Sequence, residues 1–332
     1  MKVCTTPEGP EVECVKRDLQ TLVNLTVEKA TLTELALNYN RYIQQNDRIS
    51  LLEKKKIVKI ERRGKFIIWW FGKIPVVNHL GMTGGWIIRD TNHSDPIPQN
   101  HPKVVLNFSE GKKAIFDDVR NFGRFEIFHN EKELLDKTES IRKMGIDGLA
   151  LPFPQNQFEQ ILHEKRNLEK TLGSFLLDQQ YVAGVGNIYK SESLFKAKLH
   201  PVLPLKLLTN LEMKTLGDSI SYILQLALNS GGTTIDNFQS PYGAEGKAQE
   251  WHQVYGREGK SCFICKTPIQ RIIQKTRSTF FCPVCQPIRE GLTIPENLLP
   301  PKKEQTTKKR TSNKKQKKKS TKKTRGRKTP VK

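Results

Sequence analysis

Four of the six cysteines fall into two Cys-x-x-Cys pairs, Cys262 with Cys265 and Cys282 with Cys285, separated by sixteen residues. No other feature restricts the fold as tightly. Each pair suits a knuckle that points two thiolates inward, and the residues between the pairs make a hairpin that brings them together. The set is that of one tetrahedral zinc ion, and four thiolates leave no coordination position open, so the metal would be structural. A redox dithiol pair is the other use of this spacing. Disulfides fit less well, because the start lacks a signal peptide's apolar region and no apolar run approaches the roughly 18 residues of a membrane span. The chain therefore reads as soluble and intracellular. Cys4 and Cys14 stand isolated near the start.

The net charge of +22 over 332 residues is unevenly spread. From Lys302 to Lys332 sixteen Lys and Arg face only Glu304, which places +15 in the tail and +7 in everything before it. Such a balance calls for a polyanionic partner, nucleic acid above all. A membrane surface is the poorer match, since the tail has no aromatic or aliphatic anchor. Rich in Lys, Thr, Ser and Gln, the tail cannot bury enough apolar surface to fold.

Ahead of the cysteines, the pattern changes once. From Glu11 the spacing of Val12, Val15, Leu19 and Leu22 predicts an amphipathic helix. From about Val23 to Phe128 short β segments dominate, with hairpins around Gly64-Lys65 and Ser109-Glu110-Gly111, which predicts a sandwich or barrel. After a join around Arg142 to Pro154, helices are expected over Gln155 to Lys165, Leu168 to Leu177, Asn187 to Lys198 and Leu211 to Leu228. Ser230-Gly231-Gly232-Thr233-Thr234 ends the last, and a Gly-rich loop runs to about Ala248. The expected fold is α+β and multidomain: an extension over residues 1–6, a β-sandwich over 7–138, a helical domain over 139–248, a zinc finger over 249–288, and a linker with the basic tail over 289–332.

Several stretches carry more than structure. Leu176 to Phe195 reads as helix, tight turn, helix, and the second helix starts at Asn187 after Gly184 and Gly186. A helix start offers backbone N–H groups and a positive dipole end to a phosphate, with Lys190 one turn in; an ordinary αα-hairpin is the alternative. Pro7-Glu8-Gly9-Pro10-Glu11 makes a good helix start by itself. Glu61-Arg62-Arg63-Gly64-Lys65 puts cations at a hairpin tip, within reach of phosphates or simply solvated. Met82, on His79-Leu80-Gly81-Met82-Thr83-Gly84, and Arg120 with Phe122, on Asp118-Val119-Arg120-Asn121-Phe122-Gly123, form a set. An enzyme that extrudes a base leaves a hole in the stack, and apolar wedges with a planar cation can fill it.

These motifs together resemble the formamidopyrimidine-DNA glycosylase and endonuclease VIII family. The resemblance runs from Pro7 to about Gln286 and touches five motifs in the family's order, Gly184-Val185-Gly186-Asn187-Ile188-Tyr189 among them. It implies an N-terminal β-sandwich, a helix-two-turn-helix domain, a zinc finger, and double-stranded DNA with oxidised bases or abasic sites in the cleft between the halves. The implied activity is that of a bifunctional glycosylase and AP lyase acting through a Schiff base and β,δ-elimination. On the matching positions Pro7 would be the nucleophile, Glu8 the acid–base group, Lys65 an active-site lysine and Arg277 the finger's phosphate-binding arginine. His101 and Asn187 would contact DNA, and Met82, Arg120 and Phe122 would fill the void. The chain is expected to act as a monomer wherever its DNA lies, in cytoplasm, nucleoid or nucleus.

Pro-Glu-Gly-Pro looks like the endonuclease VIII branch, whereas His79-Leu80-Gly81-Met82, Arg120, Phe122 and Gly231-Gly232-Thr233-Thr234 look like the branch that favours oxidised purines such as 8-oxoguanine and formamidopyrimidines. Oxidised purines are the expectation. Ile235-Asp236-Asn237-Phe238 departs from that branch in lacking a basic residue. Pro7 also departs, because it follows Thr6 rather than an initiator methionine. A proline inside a chain is an amide and cannot form a Schiff base, so the active protein is expected to begin at Pro7, with Lys65 as the fallback amine. The rival reading is a damaged-DNA-binding protein without catalysis.

Overall fold

A computed structural model describes residues 6–92, 100–234 and 240–300. Cys4, Ile235 to Phe238 and the tail from Lys302 lie outside the described residues.

The first helix, α1 (Gly9–Leu19), takes Pro10 in its first turn, where no intrahelical N–H is required, and continues as a 3-10 turn over Gln20–Leu22. Val12, Val15, Leu19 and Leu22 are all buried, as their spacing demands. Among the described residues eight strands follow: β1 (Val27–Leu32), β2 (Ile57–Arg63), β3 (Phe66–Phe71), β4 (Ile74–His79), β5 (Gly85–Asp90), β6 (Pro102–Phe108), β7 (Lys112–Asp117) and β8 (Arg124–Ile127). They form two antiparallel four-stranded sheets, ordered β1-β6-β7-β5 and β2-β3-β4-β8. Alternate residues of β6, Val104, Leu106 and Phe108, are fully buried. Trp69 of β3 and Trp86 of β5 meet in the shared core with ring centroids 4.8 Å apart, so one tryptophan from each sheet closes the sandwich. The Trp86 indole N–H is satisfied by Asn78 Oδ1 at 2.9 Å. Two short helices, α2 (Glu34–Leu37) and α3 (Asn40–Ile43), interrupt the stretch expected to be mostly β, and α4 (Glu131–Lys137) and α5 (Glu139–Arg142) follow it.

A second core lies under α6 (Gln155–His163), α7 (Leu172–Leu176), α8 (Asn187–Lys196) and α9 (Asn210–Asn229). Thr209 and Glu212 cap α9 reciprocally, Thr209 N donating to Glu212 Oε2 at 2.8 Å and Glu212 N to Thr209 Oγ1 at 3.3 Å. Met213, Leu216, Ile220, Ile223, Leu224 and Ala227 give its buried face. The helix expected from Leu168 is shorter, because Thr171 is extended and bridges Pro204 before α7 begins. Nor did the spacing reveal β9 (Ile146–Asp147), which pairs in parallel with β10 (Val182–Ala183). The cysteine-bearing segment folds as the hairpin of β11 (Gln270–Gln274) and β12 (Arg277–Phe281). Its Ile269, Phe280, Cys262 and Cys282 share the core of the helices. The architecture is thus α+β as expected, with a β-sandwich, a helical part and a cysteine cluster. Among the described residues no helix is long and apolar enough to cross a membrane.

Candidate active site

Glu8, directly before α1, is 2% exposed, and its carboxylate is placed at the start of α8. It accepts from the backbone N–H groups of Gly186 (2.8 Å), Ile188 (2.8 Å) and Tyr189 (3.3 Å). Gly9 N donates to Gly184 O at 2.8 Å, which pins the two segments side by side. The helix start expected to offer its donors to a phosphate binds the protein's own carboxylate, for the same reason: a negative group satisfies the donors and the dipole. Burial raises the Glu8 pKa, and the opposing pull of Lys65 and of the three N–H groups does not cancel it.

Lys65 sits on the two-residue turn between β2 and β3 and reaches the same point. A methyl placed on Gly186 would lie 2.5 Å from Glu8 Oε1 and 2.6 Å from Lys65 Nζ. Burial lowers the Lys65 pKa, partly offset by Glu8 and reinforced by Arg277. An acid held upward and an amine held downward face each other, the pairing that proton transfer near neutral pH requires. Both line a cavity of about 450 Å³, together with Thr6, Asn187, Lys275 and Arg277. Pro7 is buried between two lining residues, Thr6 and Glu8, and does not itself line the cavity. Arg277, the first residue of β12, is exposed beside the hairpin turn Lys275-Thr276. Lys275 Nζ pairs with Asp178 Oδ2 at 3.1 Å, tying that turn to the segment that leads into α8.

Two expected cations turn inward. Lys190 is fully buried and cannot meet a phosphate; its Nζ donates to Asn187 Oδ1 (2.8 Å) and Thr279 Oγ1 (2.6 Å). Asn187, whose Oδ1 is so engaged, itself lines the cavity. Burial draws the Lys190 pKa down to about 7, although Glu8 opposes it. Arg62 is consumed by Asp147 (2.6 Å), Glu13 (3.0 Å) and the Gly64 carbonyl (3.0 Å), which joins the sandwich to β9. The spacing could not show this, because a helix face and a strand face are filled by whatever the rest of the fold packs against them.

The two loops expected to act together are locked together. Asp118 accepts from Thr83 Oγ1 (2.5 Å) and from Gly123 N (2.7 Å), and Thr83 Oγ1 accepts from Arg120 N (3.0 Å). Gly81 has φ +71°, and a Cβ there would lie 2.5 Å from Gly123 N, so a side chain would push the loops apart. Phe122 is exposed, Arg120 lies with Cζ 5.1 Å from its ring centroid, and Met82 is half-buried on the partner loop. His101 is held beside them, its N donating to Asp117 Oδ1 (2.7 Å) and its carbonyl accepting from Asp118 N (3.1 Å).

The four thiols of Cys262, Cys265, Cys282 and Cys285 converge, all sulfurs within 4.8 Å of one another and none in a disulfide. Metal–sulfur bonds of ~2.3 Å in a tetrahedron require sulfurs ~3.8 Å apart. Cys262 to Cys285 at 3.8 Å and Cys265 to Cys282 at 3.3 Å fit that demand.

Glu11 and Glu192 were missed as organising residues. Buried Glu11 accepts from Glu8 N (2.9 Å), Thr233 N (2.6 Å) and the Tyr189 hydroxyl, and burial pushes its pKa up to about 7. Its signal was present: a glutamate three residues after Glu8 is the spacing of a reciprocal cap. Glu192 accepts from Gln253, Val254 and Tyr255 N–H groups at 2.8–3.0 Å and anchors the entry to the finger. A lone carboxylate on an otherwise buried helix was its signal.

The chain is similar to known proteins over most of its length. The Formamidopyrimidine-DNA glycosylase N-terminal domain model matches residues 6–125, beginning at the residue before Pro7, and the Formamidopyrimidine-DNA glycosylase H2TH domain model matches residues 144–239. The formamidopyrimidine-DNA glycosylase of Ligilactobacillus salivarius is 35% identical over 286 residues, covering 85% of this chain and 99% of that one. That of Pediococcus pentosaceus is 36% identical over 287 residues, covering 85% and 100%. Among solved structures, the Lactococcus lactis Fpg in complex with DNA containing an abasic site has a TM-score of 0.71 at 32% identity, covering 85% of this chain and 100% of that one. The wild-type Lactococcus lactis Fpg with DNA containing N7-benzyl-Fapy-dG has a TM-score of 0.73 at 33% identity, with the same coverage.

Proposed function

Because the chain belongs to the formamidopyrimidine-DNA glycosylase family, we propose that it excises oxidised bases from double-stranded DNA and cleaves the strand at the abasic site left behind. The observation that carries this is the placement of Glu8, Lys65, Asn187 and Arg277 around one cavity that both chain neighbours of Pro7, Thr6 and Glu8, line. With the Pro7 nitrogen as a chain-end secondary amine, of pKa near the ~8 of α-amino groups, its lone pair attacks C1′ and the glycosidic bond breaks. The base leaves with a proton, and a Schiff base joins C1′ to the enzyme. Loss of a C2′ proton then expels the 3′ phosphate, and a second elimination expels the 5′ phosphate. Glu8, its pKa raised by burial and its carboxyl fixed by three N–H groups, handles the protons. Arg277 and Asn187 grip phosphates, while Met82, Arg120 and Phe122 fill the vacated stack with His101 beside them.

The four cysteines would hold one zinc ion, which fixes the finger and hence Arg277 but takes no part in bond making. Oxidised purines are the preferred substrates in this reading, supported by the resemblance of His79-Leu80-Gly81-Met82 and Gly231-Gly232-Thr233-Thr234 to the purine branch. The protein acts as a monomer. Borohydride trapping on DNA containing 8-oxoguanine, for the full chain and for a chain made to begin at Pro7, tests the chemistry. A cross-link mapped to Pro7 supports it, and one at Lys65 moves the nucleophile there. No cross-link from either protein would leave a lesion-binding protein without catalysis. An oxidised pyrimidine cut faster than 8-oxoguanine would overturn the purine preference.

A further inference from the structure

A second concavity of about 560 Å³ lies at the other end of α8, between α9 and the cysteine knuckles. Phe195, Tyr222, Ile223, Ile264 and Val284 give it an apolar lining. Ile264 is 66% exposed, Val284 58% and Tyr222 53%. Ile264 and Val284 are interior residues of the two Cys-x-x-Cys pairs. Metal binding needs only the cysteines there, so polar residues would serve the knuckles equally, and the metal does not account for an exposed aliphatic on each.

The rim is cationic. Lys196 Nζ lies 3.8 Å from the centroid of the Tyr222 ring, and Lys198 stands two residues on. Among the described residues neither pairs with a carboxylate, and the one carboxylate lining the groove, Glu192, is saturated by three backbone N–H groups. We infer that this groove docks a segment of another protein carrying bulky apolar anchors flanked by Asp and Glu. The basic tail of this chain does not qualify, since it repeats the sign of the rim and offers Val331 as its single aliphatic residue. Nucleic acid suits the groove less well, because of its aromatic rings Phe195 is buried and the exposed Tyr222 already carries Lys196, which leaves no open row of rings for bases to stack on. From Asn187 to Lys196, α8 rises ~13 Å, so the groove and the Glu8 cavity lie at opposite ends of the helix and can be filled together.

A displayed library of random dodecapeptides, selected on the zinc-loaded full chain, tests the inference. Enriched peptides should combine acidic with aliphatic or aromatic residues. Synthetic copies should bind the Lys196→Glu/Lys198→Glu double variant and the Tyr222→Asp variant roughly tenfold or more weakly, with DNA nicking unchanged in both. Because the lysines are on the surface, the double variant keeps the test valid even if Tyr222→Asp destabilises α9. Failure to enrich any sequence, enrichment of basic peptides, or affinity indifferent to both variants would overturn the inference. Displacement of the peptides by duplex DNA would assign the groove to nucleic acid instead. Concentration-dependent dimerisation lost in Tyr222→Asp would assign it to a second copy.

Discussion

The carboxylate of Glu8 accepts a 2.8 Å hydrogen bond from the backbone nitrogen of Ile188, 180 residues later in the chain. This contact joins the start of the sandwich to the start of α8, and it decides where residue 7 lies relative to Lys65, Asn187 and Arg277. It also spends the helix's first donors inside the protein, so they are not open to a phosphate.

Gly186 is needed for room rather than for conformation, since its φ of −129° suits any residue. An alanine methyl would meet Glu8 Oε1 at 2.5 Å and Lys65 Nζ at 2.6 Å. Gly186→Ala should therefore lower strand nicking at an abasic site by about 100-fold, the scale of a misplaced catalytic group, with circular dichroism and metal content unchanged. Full activity in this variant would mean that the Glu8 and Lys65 positions do not matter.

Arg120→Ala and Phe122→Ala remove the exposed parts of two interlocked loops without touching Asp118 or Thr83. Excision from duplex DNA should drop about tenfold or more, while lesions in single strands, which leave no hole to fill, should be processed as before. Equal losses on both substrates would argue against the void-filling role.

Cys262→Ser should release the metal and weaken DNA binding, because Cys262, Ile269 and Phe280 of the finger are part of the helical core and metal binding is coupled to folding. Metal analysis of the purified protein gives the first answer. Active, unmodified protein without zinc would exclude a structural zinc.

The Glu11 carboxyl makes stability depend on pH. Its folded value is about 7 against an ordinary value of 4.5, so between these the folded state keeps a proton that the unfolded chain releases. The stability this contributes is complete below about pH 4.5 and is lost as pH rises through about 7. Glu11→Gln has no such titration. Relative to the parent, it should gain stability from pH 4.5 to 7.5 by on the order of 3 kcal/mol. Denaturant melts across that range check this, and a constant difference would show that Glu11 stays ionised.

Removing Lys302 to Lys332 takes away sixteen cations and Glu304. Binding to undamaged DNA should weaken and its salt dependence flatten, with lesion choice unchanged, since phosphate contacts act through counterion release. A salt slope equal to that of the full chain would show that the tail makes no DNA contact.

The residue string determined the elements whose pattern is local. The periods of α1 and α9, the strands flanking Gly64 and Ser109, and the four-cysteine spacing each depend on neighbours within a few turns, and each is found where it was expected. The motif order identified the set around the cavity. What the string could not give is the inward or outward sense of a charge. Lys190 and Arg62 read as cations for DNA, yet one supports Asn187 beneath the surface and the other binds Asp147 and Glu13. Glu11 read as part of a helix start and Glu192 as one more position of the helix after Asn187, yet both are buried anchors between distant segments. Helix period fixes which residues share a face, whereas desolvation and pairing depend on what packs against that face, and those partners here include residues 49 to 222 positions away in sequence.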